Sequence, residues 1–244
     1  MFDLDGVLVQ TEKLKALSYA KAVQQVLGLP DPDARAVDAY REILGAPRDV
    51  ASKHIVDRLG LGESLLHLRD RYGTSVPSEI LTAVRRPIYL ALIADSEVIR
   101  ENQWPHTVAV LRTARRPACR TGLATMSQRL EAEHVLRSLR LEEYIDVIVT
   151  AEDISHGKPD PEVYVTAVER LQVAPSEALA LEDSVNGVKA ALAAGVNVIA
   201  ISTPFTNSSL RAEEVSRMVG SEWVVSSEGN VAGLVRKRIK ESRA

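Results

Sequence analysis

The chain opens MFDLDGVLVQTE (residues 1–12). In an extended segment, side chains at i and i+2 share a face, so Asp3 and Asp5 point together while Leu4 points away. Two carboxylates are thereby forced into one small space. At ~4 Å and an effective dielectric near 20 their repulsion is roughly 4 kcal/mol, a cost relieved by a cation or by a proton kept on one of them. Gly6 and the apolar Val7-Leu8 come directly after, which sets this Asp-x-Asp apart from one in a solvated turn. Only Met1 and Phe2 precede Asp3, whereas strands usually run about 5 or 6 residues, so the strand is expected to begin upstream of Met1.

The pattern beyond this opening decides the architecture. From Glu12 to about Glu97 it is helical, with no strand signals, and Gly28, Gly45, Gly60 and Gly73 each succeed a run suited to a helix as C-terminal caps. In LPDPDARAVDAYREILG (29–45) the spacing predicts a helix with Asp31 as N-cap, Pro32 at the first helical position, and Val37, Tyr40, Ile43 and Leu44 on one face. From about Trp104 the rhythm changes. Short apolar runs in RTGLAT (120–125), IDVIVT (145–150), EALALED (177–183), VNVIAIST (196–203) and EWVVSS (222–227) read as strands. Between them SQRLEAEHVLRSLRL (127–141), PDPEVYVTAVERLQV (159–173) and SVNGVKAALAAG (184–195) fit helices. This alternation predicts an α/β fold with a parallel sheet and helices on its faces. The helical segment is then an insertion: a core of 1–12 and 98–244, and an inserted α-helical domain of 13–97.

Composition narrows the function. The 244 residues are 45% apolar and 26% charged, as in an ordinary globular protein. A net charge of −3 and 4% aromatic residues argue against nucleic-acid binding, which needs a basic field or stacking surfaces; a small-molecule partner fits better. Cys119 is a single cysteine and cannot form an internal disulfide, and no room for a signal peptide lies ahead of Asp3, so a cytoplasmic protein is expected. No apolar run approaches the roughly 18 residues of a membrane helix. The basic RKRIKESR (236–243) reads as a solvated helix terminus.

In open parallel sheets, ligands bind beyond the carboxyl ends of the strands. Asp3 and Asp5 close the first strand and Thr125 closes TGLAT; Lys158 comes after the next strand in HGKPDPE (156–162), and Glu182 with Asp183 closes EALALED. Taken singly, each has a bland reading. Thr125 could cap the helix after it, Lys158 could be a surface lysine ahead of a helix start at Asp160-Pro161, and Glu182-Asp183 could be a cap pair. An EF-hand loop starting at Asp3 fails, since Leu8 and Leu14 stand where it needs glycine and glutamate. The combination is what argues for chemistry: two adjacent acids beside two more are too negative without a metal.

FDLDGVLVQTE (2–12), LATMSQR (123–129), GKPDPEVY (157–164) and LEDSVNGVKAALAAG (181–195), in this order with a helical insertion after the first, resemble the four motifs of the haloacid dehalogenase (HAD) superfamily. The resemblance is closest to the branch with a helical C1-type cap that includes beta-phosphoglucomutase and phosphoglycolate phosphatase. It implies a Rossmann-like doubly wound parallel sheet core and a Mg²⁺-dependent phosphatase of a small phosphorylated metabolite, a sugar phosphate or phosphoglycolate-like, in a monomer or weak homodimer. It makes Asp3 the nucleophile that forms an aspartyl phosphate and Asp5 the general acid and base. Thr125 and Lys158 would hold the phosphoryl group, with Gly6 and Ser127 among the substrate contacts. Glu182 and Asp183 would bind Mg²⁺ with a carboxylate oxygen of Asp3 and the backbone carbonyl of Asp5, an all-oxygen set suited to a hard cation. Four acids against Lys158 and Mg²⁺ approach neutrality once Asp5 carries a proton.

The cap implied by the resemblance would close over the pocket and exclude water, with Arg48 of LGAPRD (44–49) as a substrate contact. Lys15 stands about where mutase-type relatives carry a histidine, which weighs against the alternative of a phosphosugar mutase, and Gln10 replaces a smaller residue. Dehalogenation and phosphonate cleavage fit less well, and a non-catalytic relative is a further alternative. A receiver domain shares the residue types, but it is about half this length, lacks inserted helices and phosphorylates an aspartate on a later strand.

Overall fold

Phe2 is the point around which the sheet is assembled. In a computed structural model of the chain, which describes residues 1–43, 48–115, 119–210 and 213–241, Phe2 forms parallel bridges to Leu123 on one side and Leu181 on the other. Strand β1 (Gly122–Ala124) pairs in parallel with β2 (Val147–Val149); β3 (Leu179–Glu182) pairs with β4 (Asn197–Ser202), and β4 with β5 (Val224–Ser226). The order across the sheet is β2-β1-Phe2-β3-β4-β5. The strand order reverses at the opening segment, the switch point where open α/β sheets bind ligands. Short as the segment is, its backbone is hydrogen-bonded along both edges: Phe2 N donates to Gly122 O (2.8 Å), Ala124 N to Phe2 O (2.9 Å), Asp3 N to Leu181 O (3.1 Å) and Leu181 N to Met1 O (3.0 Å).

Apolar runs make these strands because both faces are covered, so no polar alternation is needed. All of β1 is buried, and so is β4 after Asn197. The crossovers are the helices Arg129–Leu139, Glu162–Leu171 and Val185–Ala193; the second packs on β1 and β2, the third on β3 and β4, and the C-terminal helix Val231–Glu241 on β4. The result is a Rossmann-like α/β fold. Among the described residues no helix is long and apolar enough to cross a membrane.

The chain falls into two compact units, Met1–Gln10 with Ser96–Ala244, and Thr11–Asp95. The second unit is helical in its described residues, with helices Thr11–Leu27, Ala34–Glu42, Arg48–Leu59, Gly62–Leu66, Arg69–Tyr72 and Pro77–Ala94. Gly28, Gly60 and Gly73 sit past helix ends with φ of 64°, 66° and 69°, the left-handed region that stops a helix; Gly45 lies outside the described residues. The second of these helices corrects the expectation from sequence. It is capped by Asp33 rather than Asp31, and Pro32 precedes it. The reason is tertiary: Asp33 N donates to Ala20 O (3.2 Å), and its carboxylate then accepts from Arg35 N (2.9 Å) and pairs with the Arg35 guanidinium (2.6 Å).

Asp153 ties the loop after β2 to two crossover helices. Its Oδ2 accepts from Thr150 N (2.8 Å), Thr150 Oγ1 (2.9 Å) and Arg129 Nη2 (2.5 Å), and its Oδ1 from Arg170 Nη2 (2.9 Å). Partial burial works against the charged form, yet the Thr150 amide and hydroxyl and the two guanidinium groups outweigh it and lower the pKa to about 2. A depressed folded-state value means that this stabilisation is complete above the unfolded pKa near 4 and is lost as pH falls toward 2. Acid unfolding followed by circular dichroism is therefore expected to be shallower over that window in Asp153→Asn, by about 1–2 kcal/mol; an unaltered acid limb refutes the role.

Candidate active site

The site grows from the carboxyl ends of the opening segment, β1 and β3. Beyond Asp5 the chain folds back at once, with Leu8 N donating to Leu4 O (3.0 Å) and Gly6 N to Val9 O (2.8 Å). Thr107 Oγ1 secures this turn through Val7 O. Gly6 has φ +72°, and a Cβ there would lie 1.8 Å from Asp183 Oδ2. No other residue satisfies both the backbone and the neighbouring carboxylate. Gly6 thus brings the opening turn against the acid just past β3.

Lys158 enters from the loop after β2. Its buried ammonium donates to Glu182 Oε1 (2.5 Å), Asp3 Oδ1 (3.1 Å) and Ala124 O (3.1 Å). Glu182, at 0% exposure, also accepts from Tyr164 Oη (2.5 Å) on Oε1 and from Ser184 Oγ (3.3 Å) on Oε2. A Cβ at Gly187 would meet the same carboxylate at 2.0 to 2.2 Å, so the helix Val185–Ala193 lies flush against it. Ser184, not Glu182 or Asp183, caps that helix, accepting from Gly187 N (3.0 Å). The acids are left for other work.

Asp5 is half-buried and accepts from Ser127 Oγ (2.8 Å). Thr125 is fully buried; its hydroxyl accepts from Ser127 N (3.1 Å), so it shapes the loop that carries Ser127. It does not cap the next helix, which starts at Arg129 with Gln128 before it. The structure therefore brings together Asp3, Lys158, Glu182 and Asp183, with Gly6 against Asp183, and joins Asp5, Ser127 and Thr125 by hydrogen bonds. Arg48 begins a helix of the other unit, and its side chain lies outside the described residues. Tyr164 falls within GKPDPEVY, yet the motif alone gave it no role. The available signal was that a tyrosine buried on a sheet-packing helix needs an acceptor for its hydroxyl.

Electrostatics at the site result from this packing. Burial pushes the Asp3 carboxyl up to about 7 against the opposing pull of Lys158, and the charges of Glu182 and Asp5 add to the rise. Burial also acts against the Lys158 ammonium, but Asp3 and Glu182 overcome it and hold the pKa above the ordinary lysine value. Burial, together with the charges of Glu182 and Asp3, drives Tyr164 well above the usual phenol range, so it remains a donor. Asp3, Glu182 and Asp183 are all buried and offer oxygens within 4.8 Å of one another. Three clustered carboxylates, of which Asp3 and Glu182 meet the one Lys158 ammonium, leave surplus negative charge, and a hard divalent cation such as Mg²⁺ fits both that charge and the oxygen donors.

Comparisons with known proteins agree with this geometry. The family profile described as haloacid dehalogenase-like hydrolase matches residues 1–195. The chain is 33% identical over 199 residues to a phosphorylated carbohydrates phosphatase of Thermotoga maritima, covering 82% of each protein. It is 27% identical over 201 residues to a beta-phosphoglucomutase of Bacillus subtilis, covering 82% of this chain and 81% of the relative. The crystal structure of CbbY from Rhodobacter sphaeroides in complex with phosphate superimposes with a TM-score of 0.62 at 25% identity, covering 95% of this chain and 94% of that one. With motifs, sheet order, buried acids and relatives in agreement, the chain belongs to the haloacid dehalogenase-like hydrolases, as a phosphatase of that family.

Proposed function

We propose that the chain is a Mg²⁺-dependent phosphatase of small phosphorylated carbohydrates that works through an aspartyl phosphate on Asp3. The observation that carries this reading is the buried set Asp3, Glu182 and Asp183, two of which, Asp3 and Glu182, share the Lys158 ammonium. The carbohydrate class is drawn from the Thermotoga maritima relative. The helical unit Thr11–Asp95, inserted after the opening segment, is read as the cap of such an enzyme.

In this mechanism an Asp3 oxygen attacks phosphorus while the bond to the leaving oxygen breaks, and Asp5 gives that oxygen its proton. Asp5, now a carboxylate oriented by Ser127 Oγ, takes a proton from water, whose oxygen displaces Asp3 and releases phosphate. Lys158 stands against Asp3 and offsets charge on the phosphoryl oxygens, the main demand of a loose transition state. The Thr125 amide donates to Val149 O (3.0 Å) and its hydroxyl accepts from Ser127 N (3.1 Å), which fixes the end of β1 and the loop that carries Ser127. Asp3, Glu182 and Asp183, with the Asp5 backbone carbonyl, would hold Mg²⁺, which when bound supplies further neutralisation of phosphoryl charge.

Phosphate release from a panel of sugar phosphates is expected to fall at least about a hundredfold after EDTA treatment and to return with Mg²⁺. Turnover indifferent to EDTA overturns the cation requirement. The Bacillus subtilis relative supports a second reading, a phosphosugar mutase. Isomerisation of a hexose phosphate that depends on a bisphosphate primer, without net phosphate release, would decide for it.

A further inference from the structure

We propose that Tyr164 is a positioning residue that sets the affinity of the cation site by fixing Glu182; this rests on the reading of Asp3, Glu182 and Asp183 as that site. Tyr164 is fully buried in the first turn of the helix Glu162–Leu171. Its hydroxyl donates to Glu182 Oε1 at 2.5 Å, and its ring centroid lies 5.2 Å from Lys158 Nζ. One side chain therefore touches both members of the Lys158–Glu182 ion pair.

Glu182 Oε1 receives two donors from different elements, Lys158 from a loop and Tyr164 from a helix, while Ser184 reaches Oε2 from the opposite flank of the motif. The backbone at Gly187 closes another side, since even a Cβ would overlap the carboxylate. Without the phenolic hydroxyl, Lys158 is, among the described residues, the remaining side-chain donor to Oε1. The carboxylate is then free to swing toward the ammonium and away from a cation shared with Asp3 and Asp183. Partners that orient a metal-binding carboxylate typically contribute about 10–100-fold in metal affinity.

A role in packing alone makes a different forecast. Phenylalanine keeps the ring, its burial and its contact with Lys158, so Tyr164→Phe would then change nothing at the cation site.

Mg²⁺ binding is to be measured by titration calorimetry on the whole 244-residue chain, as wild type and as Y164F. The melting temperature of each without Mg²⁺ reports that the variant folds. We expect Y164F to bind Mg²⁺ at least about tenfold more weakly. The Mg²⁺ concentration giving half-maximal activity should shift by the same factor, with kcat at saturating Mg²⁺ within about twofold of wild type, because the deficit lies in cation affinity. The Mg²⁺-dependent rise in melting temperature reads the same ratio should Y164F fold only in part. Equal affinities in the two proteins overturn the positioning role. A wild type that binds no Mg²⁺ overturns the cation site itself, and the inference with it.

Discussion

In Asp3→Asn, kcat for p-nitrophenyl phosphate is expected to fall at least about a thousandfold while the fold is retained. Asparagine has the same shape and can still accept from Lys158 at the Oδ1 position, where the ammonium stands at 3.1 Å. What disappears is the negative charge and the nucleophilic oxygen. The same substitution separates catalysis from stability. Burial pushes the Asp3 pKa up to about 7 against the pull of Lys158, with the charges of Glu182 and Asp5 adding to the rise. Removing that charge relieves the cluster, so thermal melting in Mg²⁺-free buffer should show Asp3→Asn at least as stable as wild type. Activity within about tenfold of wild type would remove Asp3 as the nucleophile. A large fall in melting temperature would instead make it a structural carboxylate.

Lys158→Met should instead strike both properties. The lysine is 6% exposed and is the ammonium shared by two buried carboxylates, one of them at 0% exposure. Breaking a buried ion pair from one side costs about 3–5 kcal/mol, because the partner charge stays behind without compensation. For a chain of this size a loss of ~3 kcal/mol corresponds to roughly 6–12 °C in melting temperature. Proton uptake by Asp3 offsets part of it. Mg²⁺ should restore another part, since a cation held by the remaining acids binds the folded state selectively. Turnover is expected to drop at least about a hundredfold even with Mg²⁺, because the ammonium beside Asp3 would no longer offset phosphoryl charge. Scanning calorimetry with and without Mg²⁺, alongside the phosphate assay, checks both. A variant that melts with wild type in Mg²⁺-free buffer would show that the Lys158 charge does not hold the cluster together.

What the amino-acid order determined by itself is everything with a short range. A two-residue spacing put Asp3 and Asp5 on one face, apolar runs without alternation announced strands covered on both sides, and the change of rhythm after Glu97 separated a helical stretch from an α/β stretch. Three strand segments ended on residues able to do chemistry and Lys158 came after a fourth, so candidate members of the site could be named without coordinates, Tyr164 excepted. Tertiary structure decided how they meet. Lys158 crosses 155 positions to Asp3, Ser127 crosses 122 to Asp5, and Tyr164, on a helix, finds its acceptor at the end of β3. Asp33 displaced Asp31 as a cap because its amide was already held by Ala20. Periodicity encodes which face a residue occupies. The partner of a buried donor or charge is instead chosen by whichever acceptor the packed fold places within reach, often on another strand or helix, and burial makes that choice obligatory.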